Sequence, residues 1–177
     1  MHWADYTAQR LMERGDEQVS ASGITPSGEF HIGHLREILS AEMIHRACLD
    51  AGMSSKYIFI VDSMDPLRRV YDFLSPEYEE FIGCPLAYIP APDEDGSPGD
   101  GSVTYADHFL SPFLDSLEQI GVRPEVVMNH ETYERGLFAE YIDSAITNRE
   151  EIRSIIQQIS GRELPHDWFP YNPMGSG

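Results

Sequence analysis

Lysine is almost missing from this chain. Among 177 residues only Lys56 is a lysine, and arginine supplies the other eleven of the 12 basic residues. Against them stand 30 acidic residues, so the formal net charge is −18. Such a chain repels a bare phosphate backbone at low ionic strength, which argues against its being the part of a protein that grips nucleic acid. An acidic, lysine-poor surface is instead what a salt-adapted, halophilic protein is expected to carry, because a Debye length of about 3 Å screens self-repulsion. Cysteine is scarce as well. Cys48 and Cys84 are isolated thiols with no CxxC pair, so neither a disulfide scaffold nor a cysteine-built zinc site is indicated. The longest useful apolar run, Tyr57-Ile58-Phe59-Ile60-Val61, is far short of the roughly 20 residues of a membrane span. The first residues lack the basic-then-apolar order of a signal peptide. These absences lead to the expectation of a soluble, cytoplasmic protein with no membrane partner.

What is present is an ordinary globular balance, 41% hydrophobic and 24% charged, with enough length for one domain or one plus part of a second. Gln18–Ser22 reads as a strand end running into Gly23, followed by the loop Ile24-Thr25-Pro26-Ser27-Gly28-Glu29-Phe30. From His34 the spacing of Leu35, Ile38, Leu39, Met43 and Ala47/Cys48 predicts a helix that stops near Gly52. Tyr57–Val61 has the composition of a strand buried in a parallel sheet. Strand, glycine-bearing loop, helix and strand make a βαβ unit. Downstream, Pro92–Ser102 is turn-formers and acids, expected as a mobile surface loop. Ser111-Pro112 has the form of a helix entry, its helix ending at Gly121, and Glu125–Asn129 is a third strand candidate. From Thr132 the chain turns helical, and Asn148 with Glu151 has the spacing of a capping box opening a last helix. That helix carries Ile152, Ile155, Ile156 and Ile159 on one face and stops at Gly161. Three strands are half of a doubly wound sheet, so the tail Pro170–Gly177 is expected to be a point where a longer protein is cut short.

The most readable chemistry is at the first strand–helix junction. His31 and His34 are three apart at a helix start, so their rings rise from one side of the first turn. The same turn offers unpaired N–H groups and the positive end of the helix dipole, which favour phosphate. Gly33 between them has no Cβ, so a flat base or ribose can lie against the backbone. Two imidazoles can donate to a triphosphate as charge builds during displacement, by positioning and electrostatics rather than covalent catalysis. The i, i+3 spacing argues against zinc, which favours i, i+4 histidines with an acidic partner.

His31-Ile32-Gly33-His34 resembles the HIGH signature of class I aminoacyl-tRNA synthetases and their nucleotidyltransferase relatives. The longer string from Ser22 to Glu37 resembles the class I, archaeal-type lysyl-tRNA synthetases in particular. So do His2-Trp3-Ala4-Asp5, Asn129-His130-Glu131-Thr132-Tyr133 and Phe169-Pro170-Tyr171-Asn172-Pro173. The resemblance implies an α/β fold, a Rossmann-like parallel sheet forming the first half of a catalytic domain over residues 1–130. Residues 131–177 would begin a helical connective insertion. It implies ATP-dependent activation of lysine to lysyl-adenylate and transfer to tRNA(Lys), with His31 and His34 catalytic. ATP would meet Pro26, Ser27, His31, Gly33 and His34, and lysine would meet Gly23 and Thr25. Mg²⁺ would arrive with ATP, and no structural zinc is expected, since Met174-Gly175-Ser176-Gly177 stands where some members carry cysteines. The lysine-containing KMSKS-like loop, the second half of the sheet and the anticodon-binding helices have no counterpart here, so slow turnover and weak tRNA binding at most are expected. Two other readings stay open at this point. One is a nucleotidyltransferase of the cytidylyl- or pantoate-activating kind; the other is a non-catalytic module.

The remaining candidates divide between site and scaffold. Asp62 and Asp65 read first as a turn with Pro66 and second as ligand contacts at a strand end. Arg68 and Arg69 are expected to pair with nearby acids, and His108 to be structural. Asn129 and His130 follow the third strand and can line the same sheet edge as the HIGH loop. Trp3, Trp168 and Tyr171 are expected as core or docking aromatics, and Cys48 as a small buried hydrophobe.

Overall fold

Tyr57, Phe59 and Val61, at alternate positions of one strand, are buried on a single face, and the rest of the sheet is built around them. The computed structural model describes residues 1–171. β1 (Glu17–Ile24), β2 (Ser54–Val61) and β3 (Glu125–Met128) form a three-stranded parallel sheet in the order β1-β2-β3. Parallel neighbours need crossovers. α2 (Ile32–Asp50) joins β1 to β2, and α3 (Tyr105–Gln119) lies on the return from β2 to β3. The register pairs Ile24 with Val61 and Val61 with Met128. Thr25, Asp62 and Asn129, the residues that follow, therefore leave the sheet side by side at its carboxyl edge.

The core beneath one sheet face joins Ile38 and Ala41 of α2 and Leu110, Phe113 and Leu117 of α3 to Tyr57, Phe59 and Val61. A second cluster, with Leu67, Tyr78, Leu86, Ile89 and Tyr105, fills the long excursion between β2 and α3. Ala4 and Ala8 of α1 (Trp3–Met12) pack on Ala47, Cys48 and Met53. Cys48 is buried, as expected. The opposite sheet face is less covered: Val19 is 64% exposed and Ile58, Ile60 and Val127 are half-buried. β2 is thus dry on one side only, where its composition predicted burial on both.

The helix expected to open at Ser111-Pro112 begins seven residues earlier. Thr104 caps it, its Oγ1 accepting the Asp107 N–H at 3.1 Å, and Pro112 lies inside the helix. Tyr105, Phe109 and Leu110 before the proline and Phe113 and Leu117 after it are all buried, and that continuous face outweighs the bond the proline removes. Pro92–Ser102, expected as a mobile loop, is knitted by backbone bonds. Asp93 N–H donates to Ser97 O at 2.8 Å, Gly99 to Ala91 at 2.9 Å, and Ser75 to Gly96 at 2.8 Å. A Cβ at Gly96 would stand 2.6 Å from the Phe73 carbonyl oxygen, and its φ is +82°, so this close approach requires glycine.

The chain divides into two compact units, Met1–Glu131 and the residues from Thr132 onward. α4 (Asn129–Glu134) runs across that boundary. The second unit holds α5 (Ala139–Thr147) and α6 (Arg149–Ser160), with Gly161 in the left-handed region at its end. The capping box expected from Asn148 and Glu151 does not form. Asn148 closes α5 as well as opening α6, and its side chain turns back to donate to Ser144 O at 2.8 Å. On the expected isoleucine face Ile152 and Ile156 are half-buried while Ile159 is 83% exposed. The tail expectation concerning Asn172–Gly177 lies outside the described residues.

Candidate active site

His31 is the N-cap of α2, with extended backbone, and its Nδ1 accepts the Gly33 N–H at 3.0 Å. The His31 N–H in turn donates to Nδ1 of His34, also at 3.0 Å. An N–H can only donate, so both Nδ1 atoms are acceptors, and each neutral ring carries its proton on Nε2. The rings lie 4.0 Å apart at 34°, with Phe30 5.0 Å from His34 and stacked on Phe113 at 4.3 Å. Burial first, and the His31 imidazole second, hold His34 below the ordinary imidazole value. The unfolded chain therefore takes up that proton first, and stability present above the ordinary value is lost as pH falls through it toward the lower folded one.

At Gly33 the fold itself has a use for the missing Cβ. A Cβ there would stand 2.7 Å from His31 Cε1 and 2.9 Å from Nδ1, so the bare backbone first admits the His31 ring. Pro26 is buried beneath the loop, and the Ser27 carbonyl is taken by the Tyr105 hydroxyl at 2.8 Å, so both hold the loop from within. Trp3, expected as a core or docking aromatic, is 47% exposed and walls an apolar groove of about 680 Å³ beside Ile32 and Gly33. Trp168 is half-buried. His108 is exposed at the ring edge of Phe109.

Across the sheet edge the two aspartates do more than make a turn. Asp65 N–H does close on Asp62 O at 3.1 Å, but both carboxylates reach neighbouring segments. Thr25 Oγ1 donates to Asp65 Oδ2 at 2.7 Å, and Arg68 approaches the same oxygen at 3.3 Å. Arg69 instead lies over the Tyr71 ring. Asn129 Nδ2 donates to Asp62 Oδ1 at 2.8 Å, and Ser63 Oγ meets His130 Nδ1 at 2.8 Å. Gly23 lies beside Asp62: a Cβ there would meet Oδ2 at 3.6 Å, an ordinary contact, so the fold itself does not require glycine. Gly23, Thr25, Asp62, Asp65, Asn129 and His130 thus gather at one edge. Asp62 and Asp65 were visible as polar residues ending an apolar run; Ser63 carried no signal.

Burial, then the charge of Asp65, pushes the Asp62 carboxyl above its usual range. Ionised Asp62 therefore costs stability above the ordinary carboxylate value, and the cost is relieved as pH falls through the folded one. Asp62→Asn keeps an oxygen for Asn129. It is expected to raise the neutral-pH melting temperature by up to about 2–4 °C. Calorimetry at neutral pH and at about pH 3 checks this, since the gain must fade in acid. Among the described residues no group of three or more His, Cys, Asp and Glu is placed to hold a metal ion. None of the described helices is long and apolar enough to cross a membrane.

The sequence model of the family described as tRNA synthetases class I (K) matches residues 1–176. The chain belongs to that family. Similar proteins include lysine–tRNA ligase 1 of Methanosarcina acetivorans, 42% identical over 98% of this chain and 31% of its own length. The lysine–tRNA ligase of Archaeoglobus fulgidus is 44% identical over 98% of this chain and 34% of its own, and that of Methanocaldococcus jannaschii 42% over 97% and 32%. The chain spans about a third of the length of these curated relatives. The parallel sheet with its crossover helices is consistent with the Rossmann-like first part of a class I synthetase.

Proposed function

We propose that this chain is the ATP- and lysine-binding part of a lysine–tRNA ligase, which forms lysyl-adenylate and pyrophosphate and then transfers lysine to tRNA(Lys). The observation that carries this reading is the pair of imidazoles at the mouth of α2, each with Nδ1 spent on a backbone N–H and Nε2–H left to donate. Those two donors, with the positive end of the α2 dipole, would bind the triphosphate of Mg²⁺–ATP and follow its charge as pyrophosphate leaves. Mg²⁺ comes with the nucleotide as part of the substrate. Gly33 contributes by admitting the His31 ring, and Pro26 and Ser27 by fixing the loop. Gly23 leaves room for lysine beside Asp62. Thr25 spends its one proton on Asp65, so toward a ligand its hydroxyl can only accept, which suits an ammonium. Asn129 and His130 line the same sheet edge, beside Asp62 and Ser63. The residues from Glu131 onward begin the connective insertion, and the acidic chain adds little to tRNA binding.

Calorimetric titration with Mg²⁺–ATP and lysine-dependent ATP–pyrophosphate exchange test the assignment. Binding of ATP and exchange that is slow but lysine-specific are expected. Exchange with pantoate or a phosphate acceptor in place of lysine assigns a different nucleotidyltransferase. Absence of ATP binding removes the proposal. The acidic, lysine-poor composition also supports a salt-adapted protein, for which the melting temperature rises from dilute buffer to molar salt; an unchanged melting curve rejects that adaptation.

A further inference from the structure

Ser63 and His130 each lie two residues beyond the paired strand ends Val61 and Met128, so the register brings them together although 67 residues separate them. Ser63 is fully buried, and among the described residues its hydroxyl makes two hydrogen bonds, both with His130. It accepts the His130 backbone N–H at 3.1 Å and lies 2.8 Å from Nδ1 of the ring. A buried hydroxyl must place its own proton. With one lone pair already taking the N–H, the acceptor within reach is Nδ1, so Oγ–H donates to it. The neutral ring then carries its proton on Nε2, as His31 and His34 do. Tyr88 steadies the ring from its edge, with centroids 6.0 Å apart at 77°. The ring is half-buried, and Nε2 has no hydrogen bond among the described residues.

We propose that Ser63 holds His130 as a third preset donor at the sheet edge, its Nε2–H bonding an anionic oxygen of the substrate. This rests on the ligase reading, and it gives His130 a substrate contact and Ser63 a positioning role. The anionic oxygen can belong to the carboxylate of the amino acid or to a phosphate of the nucleotide. The neighbouring pair favours the carboxylate. Asp62, held by Asn129, sets a negative charge one residue before Ser63, which repels a polyanion but matches an ammonium beside a carboxylate.

Long-range ¹H–¹⁵N spectra of the ¹⁵N-labelled chain read all three imidazoles at once. The free chain is expected to show His130 with an unprotonated Nδ1 and a protonated Nε2, and Ser63→Ala to mix the two tautomers. A protonated Nδ1 in the unsubstituted chain overturns the proposal without any variant. Adding L-lysine is expected to move the His130 Nε2 resonance, while 1,5-diaminopentane, which lacks the carboxylate, leaves it in place. Movement with Mg²⁺–ATP instead assigns the phosphate as the source, and either result supports the contact. His130→Asn keeps a polar group near Ser63 but loses the far donor, and should weaken binding of the responsive ligand about tenfold or more. His130→Gln, whose amide nitrogen reaches the Nε2 position, should restore most of it. If ligands move His31 and His34 but not His130, the inference fails and the ligase reading stands. If none of the three rings responds to either ligand, the ligase reading fails and takes the inference with it.

Discussion

Replacing His31 and His34 together by alanine is expected to weaken ATP binding by about tenfold or more for each imidazole. Where exchange is measurable, the rate should fall by about 10²–10³, the cost typical of a lost transition-state donor. The double variant confounds two effects, because both rings also cap α2. Loss of an N-cap costs about 1 kcal/mol. Ile38, Ala41, Ala47 and Cys48 are buried along the same helix, so α2 survives that loss. A single substitution separates donor from cap. Asparagine is among the best N-caps, and its side-chain oxygen can take the Gly33 N–H that His31 takes now. It has nothing at the Nε2 position. His31→Asn should therefore melt within about 0.5 kcal/mol of the parent chain while losing nearly as much ATP affinity as His31→Ala. Parallel thermal melts and titrations decide the matter. An asparagine variant that binds ATP like the parent assigns His31 to the helix cap alone.

The sheet and its junction with α2 were legible because their signals are local. The apolar run of β2 and the glycine-bearing turn before α2 lie within a few residues of the elements they specify. α3 was misread for the same reason: Ser111-Pro112 has the local form of a helix start, while the cap at Thr104 and Asp107 is supported by a buried face that continues through the proline. α1 went unread, although His2 and Asp5 cap it as His31 and His34 cap α2. The far side of the site was the hardest part. Asn129 with Asp62 and His130 with Ser63 meet only because Val61 pairs with Met128, and no pattern within either segment encodes that register. The HIGH turn can be read from ten residues; its partners need the closed sheet.

A methyl group at Gly33 should disable the site while leaving the fold nearly untouched. In Gly33→Ala the new Cβ falls 2.7 Å from His31 Cε1 and 2.9 Å from Nδ1, so the ring must swing away. The swing breaks the 3.0 Å bond from the Gly33 N–H and parts His31 from the His34 ring 4.0 Å away. The bond from the His31 backbone to His34 Nδ1 does not depend on that ring and can persist. In stability, the lost cap costs about 1 kcal/mol. Alanine in place of glycine in a helix returns about 0.8–1 kcal/mol, so the melting temperature should barely move. ATP affinity should nonetheless fall about tenfold or more, because one donor no longer points where its cap aimed it. Gly23→Ala supplies the contrast. Its Cβ meets Asp62 Oδ2 at an ordinary 3.6 Å, so the protein itself has no reason to rearrange. Loss of lysine binding there with ATP binding intact would locate the amino acid against Gly23, whereas Gly33→Ala should impair the nucleotide first. Were Gly33→Ala to bind ATP as the parent does, the orientation of His31 would be irrelevant to the triphosphate, and His34 with the positive end of α2 would have to account for its binding.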